Sequence, residues 1–207
     1  EKYYIQGADE IIYIDIVASL YQREPIVKSM KDTAENIFIP FGVGGGIHSI
    51  ENISKLIHNG ADKVILNTYP LQYDSDIINQ ASKIFGKQAV SINIEAKKLY
   101  SSYQCYSDGG RKQSGKEVIT WAKEVEKRGA GEIIIQGFDL DLCKKVVESV
   151  NIPVVVTSGA GCLEDIKEVI EYAQPSAVAI SSILHNNTTS IKEIKKYLSL
   201  HNIEVSQ

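Results

Sequence analysis

Two glycine-rich turns stand at matched places in this chain, and each has the residue types that hold an anion. Ile39-Pro40-Phe41-Gly42-Val43-Gly44-Gly45-Gly46 opens one segment and Ile152-Pro153-Val154-Val155-Val156-Thr157-Ser158-Gly159-Ala160-Gly161 opens the other, with Pro40 and Pro153 113 residues apart. Glycine lets a backbone approach an anion closely, and a helix beginning just after the turn offers unpaired N–H groups and the positive end of its dipole. Each turn is followed, one β-α unit later, by a small polar pair, Asn67-Thr68 or Ser181-Ser182. Gly45, Gly46, Asn67 and Thr68 are therefore candidates for one phosphate site, and Ser158, Gly159, Gly161, Ser181 and Ser182 for a second. A single such turn serves helix packing equally well. Two in a repeat predict a small substrate phosphorylated at both ends.

Carboxylates come next. Asp15 closes the apolar run Ile11-Ile12-Tyr13-Ile14, and Glu95 closes Val90-Ser91-Ile92-Asn93-Ile94. Parallel strands of a barrel end at one mouth, so both groups are expected there, where a carboxylate of raised pKa acts as a general acid or base. The plainer alternatives are that Asp15 caps a loop and that Glu95 pairs with Lys97 or Lys98. Glu10, Lys63 and Glu132 stand at strand beginnings, on the opposite face, and their spacing gathers charge near the axis. Taken alone, that trio reads equally as a stabilising ion-pair layer. His48, His58, His185 and His201 form no nucleophile or metal pattern, and neither a metal nor a cofactor is expected.

These residues need a scaffold of alternating strands and helices. Short β-branched runs predict strands near 11–15, 39–43, 63–67, 89–95, 132–136, 153–157 and 177–181. Helical periodicity predicts helices near 23–35, 50–59, 75–85, 116–128, 140–150, 163–173 and 190–201. Residues 1–6 read as the tail of a further helix, capped by Gly7. Seven regular units with an internal half-repeat predict a single α/β domain over 1–207, a (β/α)8 TIM barrel with a two-fold half-barrel repeat that lacks its first strand. Gly7-Ala8-Asp9-Glu10-Ile11-Ile12 also echoes Gly129-Ala130-Gly131-Glu132-Ile133-Ile134, at an offset of 122. The second half is thus nine residues shorter between Gln136 and Pro153, which removes one βα loop. Tyr100 to Tyr106 alternates and ends at Asp108-Gly109-Gly110, predicting a hairpin inserted after the 89–95 strand at the catalytic end.

Composition sets the class. With 207 residues, 43% hydrophobic and 23% charged, the chain has the makings of one sizeable core. A net charge of −4 argues against nucleic acid, and Lys97-Lys98 with Lys192, Lys195 and Lys196 read as solvated faces. Cys105, Cys143 and Cys162 lack a CxxC pairing, which predicts reduced thiols and a cytoplasmic protein. There is no 18-residue apolar run or signal peptide, so no membrane is expected; the chain begins at Glu1, consistent with an incomplete N-terminus.

An ordered set of segments then becomes recognisable. Gly7-Ala8-Asp9-Glu10, Asp15-Ile16-Val17-Ala18-Ser19, Gly42-Val43-Gly44-Gly45-Gly46-Ile47, Gly60-Ala61-Asp62-Lys63-Val64, Asn67-Thr68, Gly129-Ala130-Gly131-Glu132-Ile133 and Ser182-Ile183-Leu184-His185 resemble the HisF family, the cyclase subunits of imidazole glycerol phosphate synthase. The resemblance runs over essentially the whole chain. It implies a barrel that pairs with a HisH-like glutaminase, receives ammonia along its axis and converts a bis-phosphorylated aminoimidazole carboxamide ribotide to imidazole glycerol phosphate in histidine biosynthesis. Glu10, Lys63 and Glu132 match members of the family's charged gate for ammonia, and Asp62 is implied at the partner interface.

The chain also departs from the family pattern. Glu95 stands where the fifth strand carries Asp, the acidic loop after Gln136 is missing, and Thr157-Ser158-Gly159 replaces Ser-Gly-Gly. Two further readings share the scaffold. One is a HisF-like subunit that amidates a surface-polysaccharide sugar with a glutaminase; the other is a non-catalytic barrel that activates or scaffolds a glutaminase.

Overall fold

The computed structural model describes residues 2–18, 27–157 and 159–206. After a short helix α1 (Lys2–Ile5) the chain alternates: β1 (Ile11–Ile14), α2 (Val27–Ala34), β2 (Phe41–Gly44), α3 (Ile50–His58), β3 (Lys63–Leu66), α4 (Thr68–Gln72), α5 (Asp76–Phe85). It continues through β4 (Val90–Leu99), β5 (Ser102–Ser107), β6 (Lys112–Glu117), α6 (Val118–Arg128), β7 (Glu132–Gln136), α7 (Leu140–Ser149) and β8 (Val154–Thr157). α8 (Leu163–Ala173), β9 (Ala177–Ala179), α9 (Ser182–His185) and α10 (Ile191–Leu200) complete it. The order β1-β2-β3-β4-β7-β8-β9 is parallel throughout and curls into a (β/α)8-type barrel with β1 and β9 at its edges.

Central strands of such a sheet are buried on both faces, which is why β3, β7 and β8 read as nearly unbroken Val, Ile and Leu runs. Alternate residues divide between the two faces. Val64, Leu66, Val90, Ile92, Ile94, Ile133, Ile135, Val154 and Val156 pack outward against the helices in the main core, with Trp121 of α6 and Leu56 of α3. Ile65, Ile134 and Val155, with Ile12 and Ala179, form a smaller cluster facing inward. A third cluster joins α8, α9 and α10 through Ile166, Ile183, Leu184, Ile194 and Leu198, with Tyr3 of α1 against it. The two ends of the chain meet there, since Tyr3 Oη lies 2.6 Å from His185 Nδ1 and Lys195 Nζ donates to Asp9 Oδ1 at 2.7 Å. The helix layer therefore continues past the point where, among the described residues, β1 and β9 stand at the edges of the sheet.

Three expectations are corrected. The 89–95 strand does not stop at Glu95: β4 runs on to Leu99 because Ala96 to Leu99 pair antiparallel with Ser102 to Cys105, so the expected hairpin, present as β5 with β6, joins β4 in a three-stranded meander. The same meander takes Lys112–Glu117 as β6 and delays the start of α6 to Val118. The strand expected at 39 starts at Phe41, whose N–H donates to Asp62 Oδ2 at 2.8 Å. The helix expected from 23 is seen from Val27, and its first part falls outside the described residues.

The nine-residue deficit also has a structural form. β7 ends at Gln136, and α7 starts four residues on with Asp139 as its N-cap, which accepts the Leu142 N–H at 3.0 Å. Tyr103 Oη of β5 donates to the same carboxylate at 2.8 Å, tying the meander to the shortened connection. Asp139→Ala removes both contacts and is expected to cost about 1–2 kcal/mol, read as a lowered melting temperature in thermal denaturation.

Candidate functional site

Glu95 is the hub of the mouth formed by the strand ends. Its residue is 8% exposed, Asn67 Nδ2 donates to Oε1 at 2.5 Å, and the Gly110 N–H donates to Oε2. Burial raises its pKa above the ordinary glutamate value, while the bonds from Asn67 and from the backbone N–H groups of Gly110 and Gly109 pull it back down. The alternative pairing of Glu95 with Lys97 or Lys98 does not form. Lys97 Nζ instead donates to Gly110 O and lies 4.9 Å from the Tyr106 ring centre, and Lys98 Nζ lies 5.7 Å from that of Tyr103.

The tip of the meander folds over this hub. Thr68 Oγ1 donates to Asp108 Oδ1 and accepts the Asp108 N–H, both at 3.4 Å, and Gln72 Nε2 donates to Ser107 Oγ at 3.1 Å. Asn67 and Thr68 are thus beside Glu95, as expected of a shared site, and both engage protein groups.

The first glycine turn packs on the backbone of Asp15, which carries the other carboxylate. Asp15 N donates to Gly44 O at 3.0 Å, and Asp15 Oδ1 accepts the Val17 N–H at 3.1 Å, so this side chain caps the turn that follows β1. Gly45 has φ +106°, and a Cβ there would collide with the Asp15 carbonyl oxygen. Gly45→Ala is accordingly expected to cost about 1–3 kcal/mol and to push Asp15 out of register, seen as a lower melting temperature. Gly46 O lies 2.8 Å from His48 Nδ1, and Ser49 caps α3.

The second turn is furnished differently. Ser158 lies outside the described residues. Gly159 has φ +103°, and a Cβ there would collide with the Phe138 side chain, so the shortened connection after β7 lays Phe138 against the turn. Gly161 N–H and Cys162 N–H both donate to Asp165 Oδ2, at 2.7 and 3.0 Å, which spends two amides of the α8 start on the protein's own carboxylate. Ser181 and Ser182 begin α9 and are exposed. Asn67 and Ser181, each just before a short helix, share an unusual backbone (φ −143°, ψ −88° and φ −133°, ψ −73°), a structural trace of the half-barrel repeat.

At the opposite face Lys63 Nζ sits between Glu10 Oε2, at 2.9 Å, and Glu132 Oε2, at 3.0 Å. Ser91 Oγ donates to the other Glu132 oxygen at 2.6 Å. The expected gathering of charge near the axis is therefore present. Burial lowers the Lys63 pKa, but the bonds and charge of Glu10 and Glu132 outweigh it and leave it raised. Glu10 is raised by its own burial, against the pull of Lys63. Asp62, next to this face, caps the start of β2 with its carboxylate. Ser91, Asn93, Asp108, Gly110, Phe138 and Asp165 do not stand out as site residues in the sequence. The polar alternation Ser91, Asn93, Glu95 within an apolar strand is the available signal for two of them.

Among the described residues no helix is long and apolar enough to cross a membrane. A family model described as histidine biosynthesis protein matches residues 1–190. The imidazole glycerol phosphate synthase subunit HisF of one strain of Prochlorococcus marinus is 40% identical over 214 residues, covering 98% of this chain and 83% of its own length. Those of Natranaerobius thermophilus and Sulfolobus acidocaldarius are 38% and 37% identical, each covering 99% of this chain and 85% and 84% of their own. The family model and the relatives agree over nearly the whole chain, and the chain belongs to the HisF family of histidine biosynthesis proteins.

Proposed function

We propose that this chain works as the cyclase and lyase subunit of imidazole glycerol phosphate synthase, taking ammonia released by a HisH-like glutaminase and using it on a bis-phosphorylated aminoimidazole carboxamide ribotide. One observation carries the reading: a charged trio, Glu10–Lys63–Glu132, at one end of the barrel axis and a buried carboxylate, Glu95, at the other. Ammonia passes the trio and meets substrate at the mouth. On adding to carbon, the nitrogen must lose a proton, and the amine that later leaves must gain one. Glu95 suits both transfers, because burial brings its pKa nearer to neutrality. Gly45, Gly46, Asn67 and Thr68 hold one phosphate, and Gly159, Gly161, Ser181 and Ser182 the other. Asp15 shapes the first turn from beneath, and Asp62 stands on the glutaminase side.

The test is reconstitution of the chain with its glutaminase, the ribotide and glutamine, following imidazole glycerol phosphate. Absence of product with glutamine and with ammonium salt alike rejects the reading. The second turn favours one alternative for its acceptor, since Asp165 and Phe138 crowd it. An acceptor with a single phosphate, such as a sugar to be amidated, needs only the first cradle, and turnover of such a sugar with none of the ribotide would select that alternative.

A further inference from the structure

Glu95 stands where β4 leaves the barrel, paired with Gln136 of β7 in the parallel sheet and with Tyr106 of β5 in the meander. The turn joining β5 to β6 comes back to its carboxylate, because the Gly110 N–H donates to Oε2 and the Gly109 N–H also reaches the group. That turn has an uncommon backbone. Asp108, Gly109 and Gly110 follow one another at φ +55°, +68° and +74°. Successive turn residues of this kind aim neighbouring N–H groups together and make a small hollow for an anion. Here the anion is Glu95.

Glycine takes a positive φ freely, whereas Asp108 has a Cβ and needs holding, even though aspartate tolerates this region better than most residues. Thr68 supplies the hold: its Oγ1 donates to Asp108 Oδ1 and accepts the Asp108 N–H, so one hydroxyl grips side chain and backbone together. Gln72 Nε2 adds a second tie, to the Oγ of the fully buried Ser107. Thr68 and Gln72 are four residues apart on α4 and so share one side of it, and α4 is seated on the main core through Leu71. From the other side Lys97 Nζ donates to Gly110 O. The turn is thus clasped on both flanks.

The strand fixes Glu95 only as far as Cβ, and the rest of a glutamate side chain is free to rotate. Proton transfer depends on where the carboxyl group points, and a misplacement of about 1 Å can cost on the order of 10²-fold in rate. We propose that Asp108 is a positioning residue for Glu95: clasped by Thr68, and backed by Gln72 on Ser107, it holds the Gly109 and Gly110 amides on the carboxylate and so fixes its aim. What Glu95 then does rests on the function proposed above. Asp108 acts through its shape and its hydrogen bonds, and it needs no charge of its own to do so.

The test uses the complex with glutaminase, driven by ammonium salt so that delivery of nitrogen does not enter. Asp108→Ala is expected to lower kcat for imidazole product about 10²-fold, with KM for the acceptor no higher than the parent's because Thr68 keeps its hydroxyl. Asp108→Asn offers Thr68 the same acceptor and tolerates the same backbone, so it should keep most of the parent kcat. NMR reads the clasp itself: the Gly109 and Gly110 amide protons, moved downfield by the carboxylate, should shift upfield in Asp108→Ala and return in Asp108→Asn. Unchanged kcat or unchanged amide signals in Asp108→Ala overturn the proposal. So does an inactive Asp108→Asn, which would make Asp108 a proton carrier in its own right. Should Asp108→Ala not fold, Gln72→Met takes its place by cutting the second tie; a smaller loss of kcat with shifted amide signals supports the clasp, and no change in either overturns it. If the parent makes no product, the proposed function fails, and the amide signals still decide whether Asp108 holds the turn on Glu95.

Discussion

Glu95→Gln is expected to lower kcat for imidazole product formation by about 10²–10⁴-fold in the glutaminase complex. The amide keeps the shape of the side chain and the oxygen that Asn67 reaches, but it cannot exchange a proton. Glu95 is nearly buried, and its raised pKa has burial as the first cause. The base form is lost as pH falls through that raised value, so the acidic limb of the parent's kcat profile is expected above the ordinary glutamate range, and the limb should vanish in the variant. Stability runs in the other sense. A carboxyl whose folded pKa is raised favours the fold below its unfolded value and loses that contribution as pH rises through the folded value. At neutral pH the ionised Glu95 is therefore a burden, and the melting temperature of Glu95→Gln should not fall in step with its rate. A variant that loses activity and unfolds together would remove the case for Glu95 as acid and base. Glu95→Asp, which draws the carboxyl back by roughly 1 Å, should lose the Gly110 contact and turn over at a rate between parent and Gln variant.

The barrel is legible because its central strands β3, β4, β7 and β8 are largely buried over their barrel portions and read there as compact runs rich in Val and Ile. The seven parallel strands start within two residues of where periodicity puts them. The meander is harder to bound: Ala96-Lys97-Lys98-Leu99 has no apolar alternation, and it is strand only because Ser102 to Cys105 pair with it. The four- and five-residue helices α9 and α4 escape a sequence reading for a related reason, as they are too short to show a period. At the site, strand position is enough to bring Asn67 and Glu95 together and to gather Lys63 between two glutamates. Contacts made by loops are not readable. That Asp108 occupies Thr68, that Asp165 takes the amides of the second turn and that Phe138 lies on Gly159 depend on how short connections fold back, which spacing does not encode.

Lys63→Met is expected to separate glutamine hydrolysis from product formation, with glutamine consumed per product rising at least tenfold, and to destabilise the chain as well. Removing the cation leaves Glu10 and Glu132 facing one another in a partly dry site. Breaking a buried ion pair costs several kcal/mol; the side chains here are 14%, 28% and 14% exposed, so a discounted figure of about 2 kcal/mol is appropriate. For a chain of this size that lowers the melting temperature by roughly 4–8 °C. The pH dependence separates this ion-pair account from a simple loss of packing. In the parent the raised Lys63 pKa means that its contribution is full below the unfolded lysine value and is lost only as pH climbs through the folded one, in the strongly alkaline range. In the variant the penalty comes from two carboxylates, and it should shrink as pH falls and they take up protons. Lys63→Met combined with Glu132→Gln should regain stability at neutral pH, because one of the facing charges is gone. It should not regain coupling, since a guest entering from the glutaminase side would still meet no lysine between paired carboxylates. Recovery of coupling in the double variant would mean that the trio holds the barrel together and does not govern what passes through it.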